Sequence, residues 1–505
     1  MSTTTGIRPD ESMALKEFGG QSSGSEESQP LPDKPFSVFS STSKCLIVFM
    51  GSIVSLLSPI SSNIYLTALH PIAEDLHVSD AKVNITITTF MIFQAISPVF
   101  IATSSDAVGR RPAFLLCLIL YITSNVGLAL QTDYASLLGL RCLQSAGSSP
   151  TIALASSVAA DIAASKNRGV FLGIVSSLQI VGPALSPVFG GLLTQHFGWH
   201  AIFWFLASLT VVIAIPVLLF FPETARNVVH DGSIPPPWWG RSVKQILSKN
   251  RHWTSADKSP NSSGKGSRLT NPLPILLFIL TDVESIFVLL LIAQSYCGIY
   301  ALMIGIPSLM YENYSYNSEQ TGYLFLAWSA GTVLSSFTSG PILDWLYRRE
   351  AGKRRMDSKL DIQDVPDFPI ERLRLQFALP LLALSGGCMI IYGWLLEYRY
   401  SVVFVYILEV VFGYWAQAIH QMGITLLMDI HPNSTAAAAA SANLVRCLLG
   451  AGISACTIPL MQRMGTGWFH TFAALAFALG GIPLVWWLSS RGVQLRETRR
   501  VKEGT

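Results

Sequence analysis

The sequence predicts an all-α membrane protein whose twelve transmembrane helices form two pseudo-symmetric six-helix bundles. Three observations carry that prediction. Half of the 505 residues are hydrophobic and only 13% are charged, a balance outside the range of soluble domains. Apolar stretches recur from residue 45 to residue 490, each long enough to cross the hydrocarbon, which takes about 20 helical residues. Finally, two charged segments repeat each other 238 residues apart, "ATSSDAVGRR" at 102–111 and "GPILDWLYRR" at 340–349. In each, an Asp is followed four residues later by an Arg pair where an apolar run ends. That pattern marks a duplicated bundle carrying a charged hairpin at the same membrane face of each half.

Residues 1–43 are rich in Ser, Pro, Gly and Glu and lack an apolar core, so they are expected to be a disordered cytoplasmic tail and not a cleaved signal. Span 1 (45–69), span 2 (83–104), span 3 (112–130), span 4 (134–160), span 5 (170–195) and span 6 (200–222) make up a first bundle over 44–222. A Pro-rich stretch followed by a Ser, Gly and Lys-rich one gives a cytoplasmic linker over 223–274. Span 7 (283–310), span 8 (319–343), span 9 (375–396), span 10 (401–429), span 11 (436–461) and span 12 (468–490) form a second bundle over 275–491, followed by a short tail at 492–505.

Orientation follows from Lys and Arg, because positive loops stay cytoplasmic. With both termini inside, the inner tails and loops hold 29 of the 34 positive residues; Lys82, Arg399 and Arg463 fall outside, and Arg141 and Arg446 lie within spans. The mildly basic balance is thus a topology signal, and no nucleic-acid partner is expected. The seven cysteines all lie in spans, without a C-x-x-C or a His at ligand spacing, so neither a disulfide framework nor a metal site is indicated. Asn313 opens an Asn-Tyr-Ser glycosylation sequon on an outer connection close to the membrane.

The internal repeat extends beyond the hairpins. Asp161-Ile162 closes span 4 and Asp429-Ile430 closes span 10, an offset of 268, and Ile215-Pro216 and Ile482-Pro483 keep nearly that offset in spans 6 and 12. The same offset lands Arg141 on Glu409. Opposite charges at matching intramembrane positions are expensive and therefore candidates for function.

With these motifs in place, the chain resembles a major facilitator superfamily transporter over roughly residues 40–492. The first hairpin matches that family's G-x-x-x-D-x-x-G-R-R segment through Asp106, Gly109, Arg110 and Arg111, with Ala102 in the first Gly position. Arg141, Gln144 and Gly147 in span 4 resemble its R-x-x-Q-G-x-G segment, with Ser145 for the first Gly. In span 5, Gly173, Gly182, Ser186, Pro187, Gly190 and Gly191 follow the antiporter signature, with one Ser for Gly. "SSNIYLTAL", "FPETARNVVHDGSIPPP" and "NLVRCLLGAG" are similar to fungal drug:proton antiporters of the quinidine-resistance type, although Thr67 and His70 replace prolines common there. The resemblance implies the major facilitator fold and an exporter of small organic compounds driven by proton entry.

Several residues then acquire expected roles. Asp106 with Arg110 and Arg111, and Asp344 with Arg348 and Arg349, form a conformational latch, with Asp161 and Asp429 as partners for Arg111 and Arg349. The glycines at 182, 190 and 191 allow close helix approach, and Pro183 and Pro187 bend span 5. In the fold the chain resembles, spans 1, 4, 7 and 10 line the central cavity. They contribute Asn63, Tyr65, Arg141, Gln144, Gln294, Tyr296, Tyr300, Trp415, Gln417 and His420 beside Glu409, with Arg446 in span 11. Glu409 is the expected proton carrier, Arg141 its counter-charge, and His420, three turns further along, shares its face.

The expected partners are a small-molecule substrate, protons and the lipid bilayer, in a monomer without cofactor. Because no G-x-x-x-x-G-K-[ST] loop occurs, ATP is not the expected driving force. A proton-coupled nutrient importer and a non-transporting receptor on the same scaffold are the alternatives; an enzyme finds no acid, His or metal cluster to support it. The plasma membrane is the expected location and the vacuolar membrane the alternative.

Overall fold

The computed structural model describes residues 37–163, 165–247, 272–353, 370–431 and 434–503. The expected tail over residues 1–36 and the Lys-rich part of the linker lie outside the described residues. Ten helices among those described are long and apolar enough to cross a membrane. The other two expected crossings are also helical. Span 4 is built from Tyr134–Ser148 and Pro150–Ile162, which meet at Ser149 because Pro150 has no N–H to continue the ladder. Span 8 is the long helix Ser318–Lys353, diluted by Ser, Thr and Gly.

The remaining spans match the apolar runs: Ser41–Ile64, Asp80–Val108, Arg110–Leu130, Ser165–Phe197 and His200–Phe220 in the first half. Val283–Met303, Ala378–Glu397, Val402–Ile430, Thr435–Met464 and Thr466–Glu503 follow in the second. Ahead of span 7, the apolar residues form a separate helix, Pro272–Thr281. Asp282 divides the two helices by capping Val283–Met303, its carboxylate accepting from the Ser285 N–H at 3.0 Å. The last helix continues through the expected tail to Glu503.

Packing repeats with the helix number shifted by six. Span 1 packs on spans 4, 5 and 6, and span 7 on spans 10, 11 and 12; span 3 packs on 4 and 6, and span 9 on 10 and 12. The halves meet through spans 5 and 8 and, symmetrically, through spans 2 and 11. Large apolar side chains such as Phe100, Val212, Phe337 and Leu479 point outward, as a lipid-facing surface requires.

The face carrying the start of span 1 is called here the near face and its opposite the far face. One apolar core runs through the first half and continues into the far-face part of the second, taking in Ile306, Phe325, Tyr392, Phe412, Ile458 and Phe469. The near-face end of the second half packs separately around Ile279, Leu289, Leu382, Leu426 and Leu488.

Candidate functional site

Near the centre of the bundle, Arg141 is 1% exposed. Its guanidinium carbon lies 4.0 Å from the Tyr65 ring centroid and 4.4 Å from that of Phe90, a cation between two π faces. Nη1 donates to Gln144 Oε1 at 2.5 Å, the Gln144 amide donates to Asn125 Oδ1 at 2.7 Å, and the Asn125 amide donates to the Tyr121 carbonyl at 2.7 Å. This relay fixes Arg141 from span 3, while Tyr65 is held by a 2.9 Å bond between its hydroxyl and Thr86 Oγ1. Arg141 Nε and Nη2 are buried without an acceptor.

Arg446, on span 11, faces the same region. Its Nε and Nη2 donate to Asn443 Oδ1 at 3.3 and 2.9 Å, and its guanidinium carbon lies 4.8 Å from the Tyr296 ring centroid. Tyr296 and Tyr300 pack with ring centroids 4.9 Å apart and hydroxyls 3.4 Å apart. Tyr300 is within electrostatic reach of both arginines, and His420 of Arg446. The Asn443 amide also donates to the Gln94 carbonyl at 3.1 Å, so this cluster joins the two halves. Sequence spacing left Arg446 without a partner; Asn443 lies one helical turn before it. Asn125, Phe90 and Thr86 were also missed, because unremarkable polar and aromatic residues acquire a role only once the helices pack.

Other expected members of the site are elsewhere. Glu409 is not the partner of Arg141: its side chain is buried in a pocket with Leu302, Cys388, Met389, Tyr392, Leu408 and Phe412, inside the second half. Its one polar neighbour in that pocket is the Tyr392 hydroxyl, and no cation pairs with it among the described residues. His420, eleven residues further along the same unbroken helix, is within electrostatic reach of Arg446. Gln294 turns toward span 12, where its amide donates to the Phe477 carbonyl. Asn63 is bound back to its own helix, donating to the Pro59 carbonyl at 2.9 Å. Trp415 and Gln417 are half-buried on span 10. The Asn313 amide donates to the Leu396 carbonyl at 3.2 Å, which ties down the sequon's acceptor nitrogen.

At the near face the first hairpin forms a dense lock. Arg110 pairs with Asp106 at 2.6 Å and with Asp161 at 3.0 Å, and Nη1 donates to Ser105 Oγ at 2.6 Å. Arg111 points the other way, donating to the Phe221, Trp239 and Leu218 carbonyls at 3.0, 3.2 and 2.9 Å and so closing the end of span 6. The expected Arg111–Asp161 pair is therefore an Arg110–Asp161 pair, because adjacent helical residues point about 100° apart and only one can face span 4. Glu223, quoted in the linker but given no role, is the hub: its carboxylate accepts the N–H groups of Arg110 at 2.7 Å, Arg111 at 3.2 Å, Thr224 at 3.0 Å and Ala225 at 2.9 Å. Gly109 permits this with φ +120°, and any Cβ there would run into the Glu223 carboxylate.

The second hairpin does not reproduce the lock. Asp344, Arg348 and Arg349 are exposed, and Arg349 lies 5.4 Å from the Trp345 ring centroid. Asp429 pairs with Arg374 at 3.0 Å in place of the expected Arg349. The cause is the helix itself: span 8 runs on to Lys353 without a turn, carrying both arginines past the membrane face. The short helix Ile370–Leu375 supplies the cation instead.

Span 5 shows the close approach its glycines predict. A Cβ at Gly190 would strike the Ile64 carbonyl of span 1, and one at Gly191 the Ser318 carbonyl of span 8. Gly182 lies over Pro59, Ser186 and Pro187 are buried, and Gly173 faces open space. Polar contacts between the halves cluster from mid-depth to the far face. Ser308 donates to Asp80 at 2.6 Å, Thr88 to Ser454 Oγ at 3.3 Å and Ser329 to the Pro183 carbonyl at 3.3 Å, while His196 meets Glu319 at 3.4 Å.

These features agree with comparisons to known proteins. A family model described as the Major Facilitator Superfamily matches residues 51–455. The MFS-type transporter phiD of a fungal species is 39% identical, over 94% of this chain and 72% of its own. The MFS-type transporter tstD of Talaromyces stipitatus is 37% identical over 90% and 83%, and Citrate exporter 1 of Aspergillus niger 29% identical over 91% and 87%. Among solved structures, a bacterial homolog of the human lysosomal transporter Spinster, in an inward-facing and unoccupied conformation, superposes with a TM-score of 0.60 at 15% identity, covering 91% of this chain and 99% of that one. The chain is thus a multi-pass membrane transporter and belongs to the major facilitator superfamily.

Proposed function

We propose that this protein exports small organic compounds by proton antiport, its two halves rocking about the arginine and tyrosine cluster between them. The observation that carries the reading is the one-sided joining of the halves. Apolar core and polar contacts bridge them at the far face, whereas the near-face lock of Arg110, Asp161 and Glu223 is internal to the first half and the Arg374–Asp429 pair internal to the second. Such an arrangement supports a state closed at the far face, and opening it requires breaking the far-face contacts as the near face closes. With the near face cytoplasmic, as the positive residues argue, cargo enters from the cytoplasm.

Glu409 is the proposed proton carrier. A buried carboxyl with only a tyrosine hydroxyl beside it and no cation is stable in its neutral form, and it releases its proton when rocking admits water. The close span 5 contacts at Gly190 and Gly191 support a sealed exchange and not a leak. One relative's name, a citrate exporter, adds organic acids to the drugs, toxins and secondary metabolites that such a cavity serves. The plasma membrane, with both termini cytoplasmic, is the proposed setting.

The test is flux in inside-out vesicles from cells expressing the protein, with a panel of labelled compounds and an imposed pH jump. Antiport predicts that acidifying the lumen drives uptake of cargo into the inverted vesicle. Cargo expelled with protons under the same gradient would establish the importer alternative, and flux indifferent to the gradient would remove proton coupling.

A further inference from the structure

We propose that the cargo is an organic anion bearing more than one carboxylate, received between Arg446 and Arg141 on the Tyr296–Tyr300 ledge. The proposal deepens the transport reading and rests on the central cluster being the cargo site. Arg446 lies over the Tyr296 ring, Arg141 is within electrostatic reach of the adjacent Tyr300, and no ion pair joins either arginine to a carboxylate among the described residues. Glu409, which occupies the position equivalent to Arg141, is enclosed by the second half. Two permanent cations inside a membrane protein are costly unless acceptors arrive from elsewhere.

The vacant donors also have the right shape. Nε and Nη2 of Arg141, the pair left without an acceptor, form one edge of the guanidinium plane, two parallel N–H directions that match the two oxygens of a carboxylate. Arg446 is half-buried and directs Nε and Nη2 to Asn443, which leaves Nη1 for a second acidic group. Beside them, the Tyr296 and Tyr300 hydroxyls supply hydrogen bonds, and their rings, inclined 54° to each other, offer apolar faces to a carbon skeleton. The same charges repel cationic compounds, so the site selects by sign as well as shape.

The test is binding to the purified full chain in nanodiscs, read by ligand-induced thermal shift and by calorimetry. The probes are glutarate and phenylsuccinate, their dimethyl esters, butyrate and tetraphenylphosphonium. Both dicarboxylates are expected to bind at least about tenfold more tightly than butyrate, with no binding of the esters or the cation; each tenfold step corresponds to about 1.4 kcal/mol. Arg446→Gln abolishes the preference for two carboxylates, while Arg446→Lys retains part of it; Arg141→Gln does the same as Arg446→Gln if it folds. Dicarboxylates that bind no better than butyrate, or a cation that binds better than either, overturn the proposal. Dicarboxylate binding without pH-driven flux would instead leave this inference standing and defeat the proton-antiport reading.

Discussion

Glu223→Gln is the sharpest probe of the near-face lock. The wild-type carboxylate accepts four backbone N–H groups, three on Oε1 and one, from Arg111, on Oε2. A glutamine can place its carbonyl at the Oε1 position and keep the first three. Its NH2 then meets the Arg111 N–H donor to donor, in a site where the side chain is 3% exposed. A buried N–H left without an acceptor costs about 1–3 kcal/mol. Losing a negative charge at the first turn of span 3 removes roughly 0.3–1 kcal/mol more. The expected total is about 1–4 kcal/mol, and at about 2.1 cal/mol/K of unfolding entropy per residue a chain of this length falls by about 1 °C in apparent melting temperature for each kcal/mol, about 1–4 °C in all. Tryptophan fluorescence of the detergent-purified protein reads the shift, with Asp344→Asn as the control in the second hairpin. An unshifted Glu223→Gln, or an equal shift in both variants, would refute the claim that only the first hairpin is locked.

The asymmetry makes a second prediction: Arg110→Ala strips Asp161 of its guanidinium and costs about 1–3 kcal/mol, while Arg348→Ala stays within about 0.5 kcal/mol, both measurable in the same melts. In span 5, Gly191→Val drives a side chain into the Ser318 backbone and should abolish vesicle flux. Gly173→Ala faces open space and should leave flux intact while gaining up to about 1 kcal/mol of helix stability. Glu409→Gln mimics the protonated acid, so cargo binding should persist in nanodiscs while the response of flux to a pH jump disappears; a surviving response would assign the proton to another group. Normal helix packing should accompany that loss, because glutamine has nearly the volume of glutamate.

Much of the fold was legible because hydrophobic length and repetition are properties of the chain itself. The apolar runs located the helices, and the offset of 268 anticipated a packing scheme in which most helix contacts of the first half recur in the second, the pairing of spans 2 and 3 being an exception. Partner choice was less legible. Arg110 and Arg111 are neighbours in sequence but address opposite sides of span 3, one toward Asp161 and one toward the end of span 6. Nothing in their spacing says which is which. Glu223 was invisible as a hub because its ligands are backbone N–H groups, which every residue except proline possesses.

The Arg141–Glu409 pairing failed for an instructive reason. The offset that matches them also matches Tyr121 to Met389, and in the structure each charge lies inside its own half: Arg141 beside Tyr65, Phe90 and the Tyr121 relay, Glu409 beside Met389 and Tyr392. Symmetry-equivalent positions meet only on the symmetry axis, and these two lie off it. Duplication therefore gave the halves the same buried slot, later filled by a cation in one and an acid in the other. A cation can hold an anionic cargo, whereas an acid with no cation beside it can gain and lose a proton. On the proposed reading, cargo is held by the Arg141, Arg446, Tyr296 and Tyr300 cluster where the halves meet and the proton by Glu409 inside the second half, so their coupling passes through the rocking of the halves and not through direct contact of the charges. That separation predicts that Arg446→Gln and Glu409→Gln act additively on cargo binding, and a double-mutant cycle showing strong coupling between them would reject it.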